Sequence, residues 1–480
     1  MTAVRACCRR TAVFMSLWTL TGLTSSLFHL TDFACIRSLG DRWELKQRRG
    51  THSYPGSFRT RWHASFNPMT APAKSPLTGI KVVEITSIYS GPMAGMMLGE
   101  LGAQVVKVES PHGPDPLRSG GLAGGPDGVN SIFYSLNRGK RFCAIDAKTS
   151  RGRELLFDLV TEADVFIHNM RPGKAELLGL DYELLSTVNP GLIYGAITGH
   201  GPDGPEAHLP AYDYVVQAKL GMVDYQRDQE GRGDLVRQVV VDKTSANALV
   251  QGVLAALYMR EKSGQGQRIE IPMVAAGLAF LWPDGLAAAH AELNPAIPLE
   301  QMPPWLESAP GSFLVVLQTM DGEIATGILL PPWDGLCLAL ERTDWLTDER
   351  FSEQLGRILN LPELIAEVSS EVAKYSTAEV LARFEEHDFA AGKVATRREV
   401  HEDPTVKHLG LISEQEAPGL GRVRQPAPMW MFSGATTEIT TSLNFTGGDS
   451  REVLGELGIS DGEFEQLQNE GIVFVAPSDQ

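Results

Sequence analysis

Cysteine is scarce. Five occur in 480 residues (Cys7, Cys8, Cys35, Cys143 and Cys337), and three of them lie in the first 35. No CxxC pair and no Cys/His ligand spacing occurs, so neither a disulfide framework nor a zinc site is expected, and a reducing compartment is the natural reading. Basic residues are also in deficit: 42 Lys/Arg stand against 59 Asp/Glu, for a formal net charge of −17. Such a surface repels phosphate backbones and anionic lipid, which argues against nucleic-acid and membrane partners. The most span-like stretch, Thr11–Phe28, holds seven Ser/Thr and is a poor membrane crossing. What remains is an ordinary globular composition, 43% hydrophobic and 21% charged, with length for two or three domains.

The first 68 residues differ from the rest. They carry ten Lys/Arg and three acids, a net +7, which leaves −24 on the remainder. No acid precedes Asp32. An Arg-rich, Ser/Thr-rich, acid-poor start reads as an organelle transit peptide or as sequence upstream of a true start at Met69; a secretory signal is a weaker third reading. The expected location is cytoplasmic, or mitochondrial where this segment is a transit peptide. Residues 1–74 are therefore set aside as an N-terminal extension.

The body alternates strand and helix. Ile80–Thr86 (IKVVEIT) is a β-branched run, Met93–Leu101 reads as a helix stopped by Gly102, and Gln104–Glu109 (QVVKVE) reads as a second strand. Ser150–Thr161 reads as a helix, Asp164–Ile167 and Leu192–Thr198 as strands. The alternation predicts a doubly wound α/β domain with a parallel sheet. From Thr244 to about Lys262, Ala246, Leu249, Val250, Val253, Leu254 and Leu257 fall on one helical face, and Gln267–Met273 then reads as a strand. Pro and Gly become frequent at 284–312, the candidate crossing between domains. Residues 313–410 read as a smaller α/β unit, and Leu443–Val475 returns to a helical rhythm.

Several chemistries are weighed on these elements. The first strand–helix turn, Ser87–Pro92, lacks the GxGxxG spacing of a dinucleotide site. Ser90 precedes Gly-Pro outside the G-x-S-x-G spelling, so no hydrolase elbow is expected there. His168, His200 and His208 lie near strand ends, where a lone histidine is more often structural. Asp242 directly precedes the long helix. There it reads either as an N-cap or as a rigidly held carboxylate nucleophile. Arg171 and Lys174 follow a strand end and can meet phosphates or simply water; Lys148 is equally ambiguous.

Taken together, ordered segments resemble one family. They are Leu77–Val83 with Gly91-Pro92, Leu101–Glu109, Gly113–Arg118 and Asn137–Arg141 with Ile145-Asp146. They continue with Ala163–Val165, Asn169–Gly173, Tyr212-Asp213, Gln217-Ala218, Asp242, Ala255–Leu257 and Gly264–Gln267. The chain resembles the class III CoA-transferases, also called the CaiB/BaiF family. The resemblance implies a Rossmann-like large domain (75–285, completed by 426–480) with a smaller α/β domain (286–425) inserted, and an interlocked homodimer. It implies Asp242 as the catalytic residue, which attacks an acyl-CoA thioester and passes through an anhydride and an aspartyl-CoA thioester. Acyl-CoA and small carboxylic acids are the substrates, with no permanently bound cofactor and no metal. Ile88, Tyr89, Ile145, Lys148, Asn169 and Met170 match CoA-contacting positions. Ser110 and Leu177 stand where the family has arginines, with Arg171 and Lys174 nearby as replacement cations. The related racemases place a histidine at position 212, where this chain has Tyr212 as the transferases do. Racemisation of a 2-methylacyl-CoA and catalytically silent CoA binding are the alternatives.

Overall fold

A computed structural model describes residues 74–118, 130–227, 231–283, 313–330, 332–417, 421–437 and 442–475. Residues 1–73 of the N-terminal extension and the 284–312 crossing lie outside these residues.

The chain first lays down β1 (Lys81–Ile85), α1 (Ser90–Glu100), β2 (Gln104–Glu109), α2 (Ser131–Asn137), β3 (Arg141–Ile145), α3 (Ser150–Thr161) and β4 (Val165–His168). It continues through α4 (Lys174–Leu177), α5 (Tyr182–Val188), β5 (Ile193–Thr198), α6 (Asp213–Lys219), α7 (Met222–Tyr225), α8 (Val240–Ser263), β6 (Gln267–Pro272) and α9 (Met273–Leu281). The β1–β6 strands pair in parallel in the order β3-β2-β1-β4-β5-β6. This is the doubly wound order. Its direction reverses between β1 and β4, and the crevice beyond their carboxyl ends is the natural ligand position.

Helices cover both faces because the strands are apolar on both. One core layer joins α1, α8 and α9 to the sheet through Met97, Leu98, Leu249, Val250 and Val253. The other joins α3 and α5 through Leu155, Leu156, Val160 and Leu185. Each fully buried Leu or Val of these layers contributes about 1.5–3 kcal/mol of transfer free energy. Helix α3 matches its sequence boundaries. It starts where Thr149 accepts the Gly152 amide hydrogen.

Other boundaries moved. Helix α1 begins at Ser90, because Pro92 is tolerated in a first turn where its missing N–H costs nothing. Helix α8 begins at Val240 and not at Thr244, so Asp242 stands within its first turn and not ahead of it. The C-terminal segment forms two short helices, Ser450–Glu456 and Asp461–Asn469, and then a strand the helical rhythm concealed. That strand is β12 (Val473–Phe474), antiparallel to β3 at the sheet edge.

Three further strands, β7 (Leu314–Gln318), β8 (Glu323–Gly327) and β9 (Ala391–Lys393), form an antiparallel sheet. It packs with the helices of 333–386 around Ile324, Leu336, Trp345 and Phe384, in a core of its own. The β10 (Ile412–Ala417) and β11 (Gly421–Pro426) strands make a hairpin. Among the described residues, no helix is long and apolar enough to cross a membrane.

Candidate active site

The crevice at the β1/β4 reversal is a cavity of ≈ 200 Å³, lined by Ser87–Ser90, Asn169–Pro172, Tyr212, Asp242 and Met273 among others. Asp242 stands in the first turn of α8, but it does not cap it. The N-cap is Val239, held left-handed at φ 43° with no side chain to offer. The amides that a cap would satisfy go elsewhere. Val241 N–H donates to Asp213 Oδ2 at 2.7 Å, and Asp242 N–H donates to the same oxygen at 3.1 Å. Asp213 is thus the cap, supplied from α6, and the N-cap role considered for Asp242 is corrected. Gln217 locks the arrangement: its Nε2 donates to Asp213 Oδ1 and to the Val236 carbonyl, and its Oε1 accepts the Val236 amide.

The Asp242 carboxyl is therefore spared from capping and faces the cavity. Burial, and then the neighbouring Asp213 charge, push it up to about 7; hydrogen bonds from the Ser90 side chain and amide pull the other way. Tyr89 faces it, and its phenol is raised above its ordinary value by burial and by the Asp242 charge. A carboxylate held this way is a stronger base and nucleophile than a solvated one. A helix N-terminus, that of α1 at Ser90, is aimed at it.

The backbone of the β1–α1 turn is unusual. Ile88 has φ 67°, a left-handed conformation that costs a β-branched residue of the order of 1–3 kcal/mol. Asn169 pins the preceding residue: it accepts the Ser87 amide at 3.0 Å and donates to the Ser87 carbonyl at 2.8 Å.

Of the sequence-derived contact residues, Ile88, Tyr89, Asn169, Met170 and Arg171 line the cavity with Asp242. Ile145, Lys148 and Lys174 line a second hollow of ≈ 400 Å³, and Met170 is a wall of both. Ser110 and Leu177 line the second hollow too, where Lys148 and Lys174 are its cations. Among the described residues, no histidine lines the Asp242 cavity. His208 is exposed between the lining residues Ala207 and Leu209. His168 is buried on the Tyr194 hydroxyl at 2.8 Å, and burial pushes it down to about 4.

The chain is similar to known proteins over most of its length. Residues 77–443 match the model of CoA-transferase family III. The chain belongs to CoA-transferase family III. A succinate–glutarate CoA-transferase of Agrobacterium fabrum is 33% identical over 361 residues, covering 72% of this chain and 86% of the relative. A succinyl-CoA:glutarate CoA-transferase of Mus musculus is 30% identical over 407 residues, covering 83% and 90%. A CAIB/BAIF family crystal structure from Brucella suis superposes with a TM-score of 0.67 at 29% identity, covering 80% of this chain and all of that one.

Two spellings in this CoA-transferase went unnoticed in the sequence. Gly199–Gly204 reads G-x-G-x-x-G after β5, but turns follow it, not the helix a pyrophosphate needs. Gly458–Gly462 reads G-x-S-x-G, but Ser460 follows a helix and caps the next by accepting the Glu463 amide at 3.3 Å. Neither is a site. Asp213 and Ser90 were also missed as partners of Asp242, because their pairing spans some 30 and 150 residues of sequence.

Proposed function

We propose that the enzyme moves CoA from an acyl-CoA thioester to a carboxylic acid, with Asp242 as the covalent nucleophile. The observation that carries this reading is the freed carboxyl. Asp213 takes the first-turn amides of α8, so an Asp242 oxygen remains available inside the cavity. That oxygen attacks the thioester carbonyl. The C–S bond breaks, CoA thiolate leaves, and an anhydride joins Asp242 to the acyl group. The thiolate attacks the Asp242 carbonyl carbon, releases the donor acid as its carboxylate, and leaves an aspartyl-CoA thioester. The acceptor carboxylate attacks that thioester and forms a second anhydride. The thiolate then attacks the acceptor's carbonyl and frees Asp242. In net, one acyl-CoA thioester is broken and one made, with no net proton change. The Ser90 amide at the start of α1 is the donor positioned to meet oxyanion charge beside Asp242.

Relatives named for succinate–glutarate and formyl–oxalate exchange support carboxylic acids as acceptors. The two adjoining hollows support a CoA that runs from Ile145, Lys148 and Lys174 past Met170 to Asp242, with Ile88, Tyr89, Asn169 and Arg171 along its acyl end. Residues 75–285 with 426–480 form the CoA-binding domain in this reading, and 286–425 the small domain. Exposed Tyr258, Met259 and Phe280 on α8 and α9 support a homodimer, measurable by native mass spectrometry. A racemase would need a second base, and the Asp242 cavity offers Tyr212 instead of histidine.

The test is trapping. Incubation with succinyl-CoA or another acyl-CoA, then hydroxylamine, is expected to convert Asp242 to a hydroxamate seen by peptide mass spectrometry. An Asp242→Ala variant that still exchanges acids would overturn the reading.

A further inference from the structure

Four buried charges lie behind the active-site turn, outside the cavity. Glu84 on β1 and Lys107 on β2 are register partners in the middle of the sheet, and both are fully buried. Lys140 and Asp115 join them, also buried. Two anions and two cations balance. A buried set of this kind is rarely a net source of stability, because desolvation consumes the Coulombic gain. What the set does have is a grip on one piece of backbone.

The contacts fall on both sides of the strained residue. Lys107 Nζ donates to the Thr86 carbonyl at 2.7 Å and meets Asp115 Oδ2 at 3.1 Å. Asp115 Oδ1 accepts the Ile88 amide at 3.2 Å and the Leu117 amide at 3.0 Å. Lys140 Nζ bonds Glu84 Oε1 at 2.9 Å, Asn137 Oδ1 at 3.0 Å and the Pro92 carbonyl in the first turn of α1 at 2.8 Å. Thr86 is held before Ile88, and Pro92 after it. Between them stand Tyr89 and Ser90, which line the cavity together with Asp242. Nothing in the left-handed Ile88 conformation is self-sustaining, so the surroundings must impose it.

We propose that Asp115, seated on Lys107, is a positioning residue: by holding the Ile88 amide it sets where Tyr89 and the Ser90 amide meet Asp242. The proposal rests on the transferase reading for its kinetic arm alone. Asp115 touches no substrate. It acts through the turn, and its partner charges Glu84, Lys107 and Lys140 fix where its carboxylate stands.

Two variants of the full chain separate this from a purely structural role. Asp115→Asn keeps an oxygen for the Ile88 amide and loses the charge; Asp115→Ala loses both. The expected result for Asp115→Ala is a kcat reduced about tenfold to a hundredfold, as sub-ångström misplacement of a reacting group does, with KM little changed. Asp115→Asn is expected to lose stability yet keep kcat within about threefold, since the positioning bond survives. A structural role predicts that both lose stability and that kcat per folded molecule is unchanged in both. Introducing Ile88→Gly adds a second check. Glycine adopts the left-handed conformation freely, so Asp115→Ala is expected to cost less kcat in the Ile88→Gly background than alone.

An arm without turnover keeps the two readings apart. Asp242 titration is followed by the carboxyl carbon shift in 13C-aspartate-labelled protein, against Asp242→Asn as the assignment blank. Asp213 and Tyr89 face the same carboxyl and are unchanged in these variants. Loss of the Ser90 bonds in Asp115→Ala is expected to raise the Asp242 midpoint by about one unit, the equivalent of one charge-assisted hydrogen bond. An unmoved midpoint with unmoved kcat overturns the positioning role and leaves the transferase reading intact. A moved midpoint in a protein that exchanges no acids overturns the transferase reading alone.

Discussion

Asp242→Asn is the perturbation with the clearest physical signature. Burial and the Asp213 charge raise the Asp242 carboxyl from 3.8 to about 7 in the folded protein. The fold therefore favours the protonated form and binds more protons than the unfolded chain between pH 4 and 7. Stability tied to this group is fully present below about pH 4 and is lost as pH rises through 7. Three units correspond to about 4 kcal/mol at most. Asp242 is partly exposed, so solvent screening reduces the expected effect to about 2 kcal/mol. Asparagine is near-isosteric and cannot ionise, and so is free of the cost. Urea unfolding of both proteins from pH 4 to pH 8 gives the difference directly, and subtraction cancels the titrating groups not coupled to Asp242. The variant is expected to gain about 2 kcal/mol on the wild type, the gain building between pH 4 and 7 and levelling off above, while losing acid exchange. A difference that stays flat with pH would refute a raised Asp242 and, with it, the claim that Asp213 and burial tune the nucleophile.

Three further outcomes follow from the same geometry. Asp213→Asn removes the charge that raises Asp242, so the rise of kcat/KM with pH is expected to move to lower pH, at a stability loss of about 1–2 kcal/mol from the disturbed cap. Gly95→Ala brings a methyl to 1.7 Å from Glu84 Oε2 and is expected to destabilise by about 2–4 kcal/mol in urea melts, whereas Gly99→Ala, with 3.5 Å to its nearest neighbour, is expected to be neutral or to gain up to about 1 kcal/mol. Lys148→Ala and Lys174→Ala are each expected to raise KM for acyl-CoA about three- to fivefold with kcat unchanged, an effect that shrinks in high salt because both cations are exposed.

Much of the large sheet was legible in the residues themselves. β-Branched runs broken by Gly and Pro announce parallel strands, and the helical spacing from Ala246 to Leu257 announces α8, because local periodicity is enough to decide which face is buried. The ordered segments identified the family before any coordinates did. The single charges inside two apolar strands, Glu84 and Lys107, were also visible, and two opposite charges in neighbouring buried strands are a signal for a buried pair that went unused. β12 was not legible, since two residues carry no period and owe their strand to the free edge of β3.

The role of Asp242 is where sequence and structure part company. The sequence by itself determined that a carboxylate stands at the start of a long helix, and that position is compatible with both a cap and a nucleophile. Only the tertiary structure decided how the first-turn amides of α8 are satisfied, because the group that takes them, Asp213, comes from another helix. Hydrogen bonds, burial and charge act through space, and they alone determine which of two aspartates is left with a raised carboxyl in the cavity, relieved of the α8 amides.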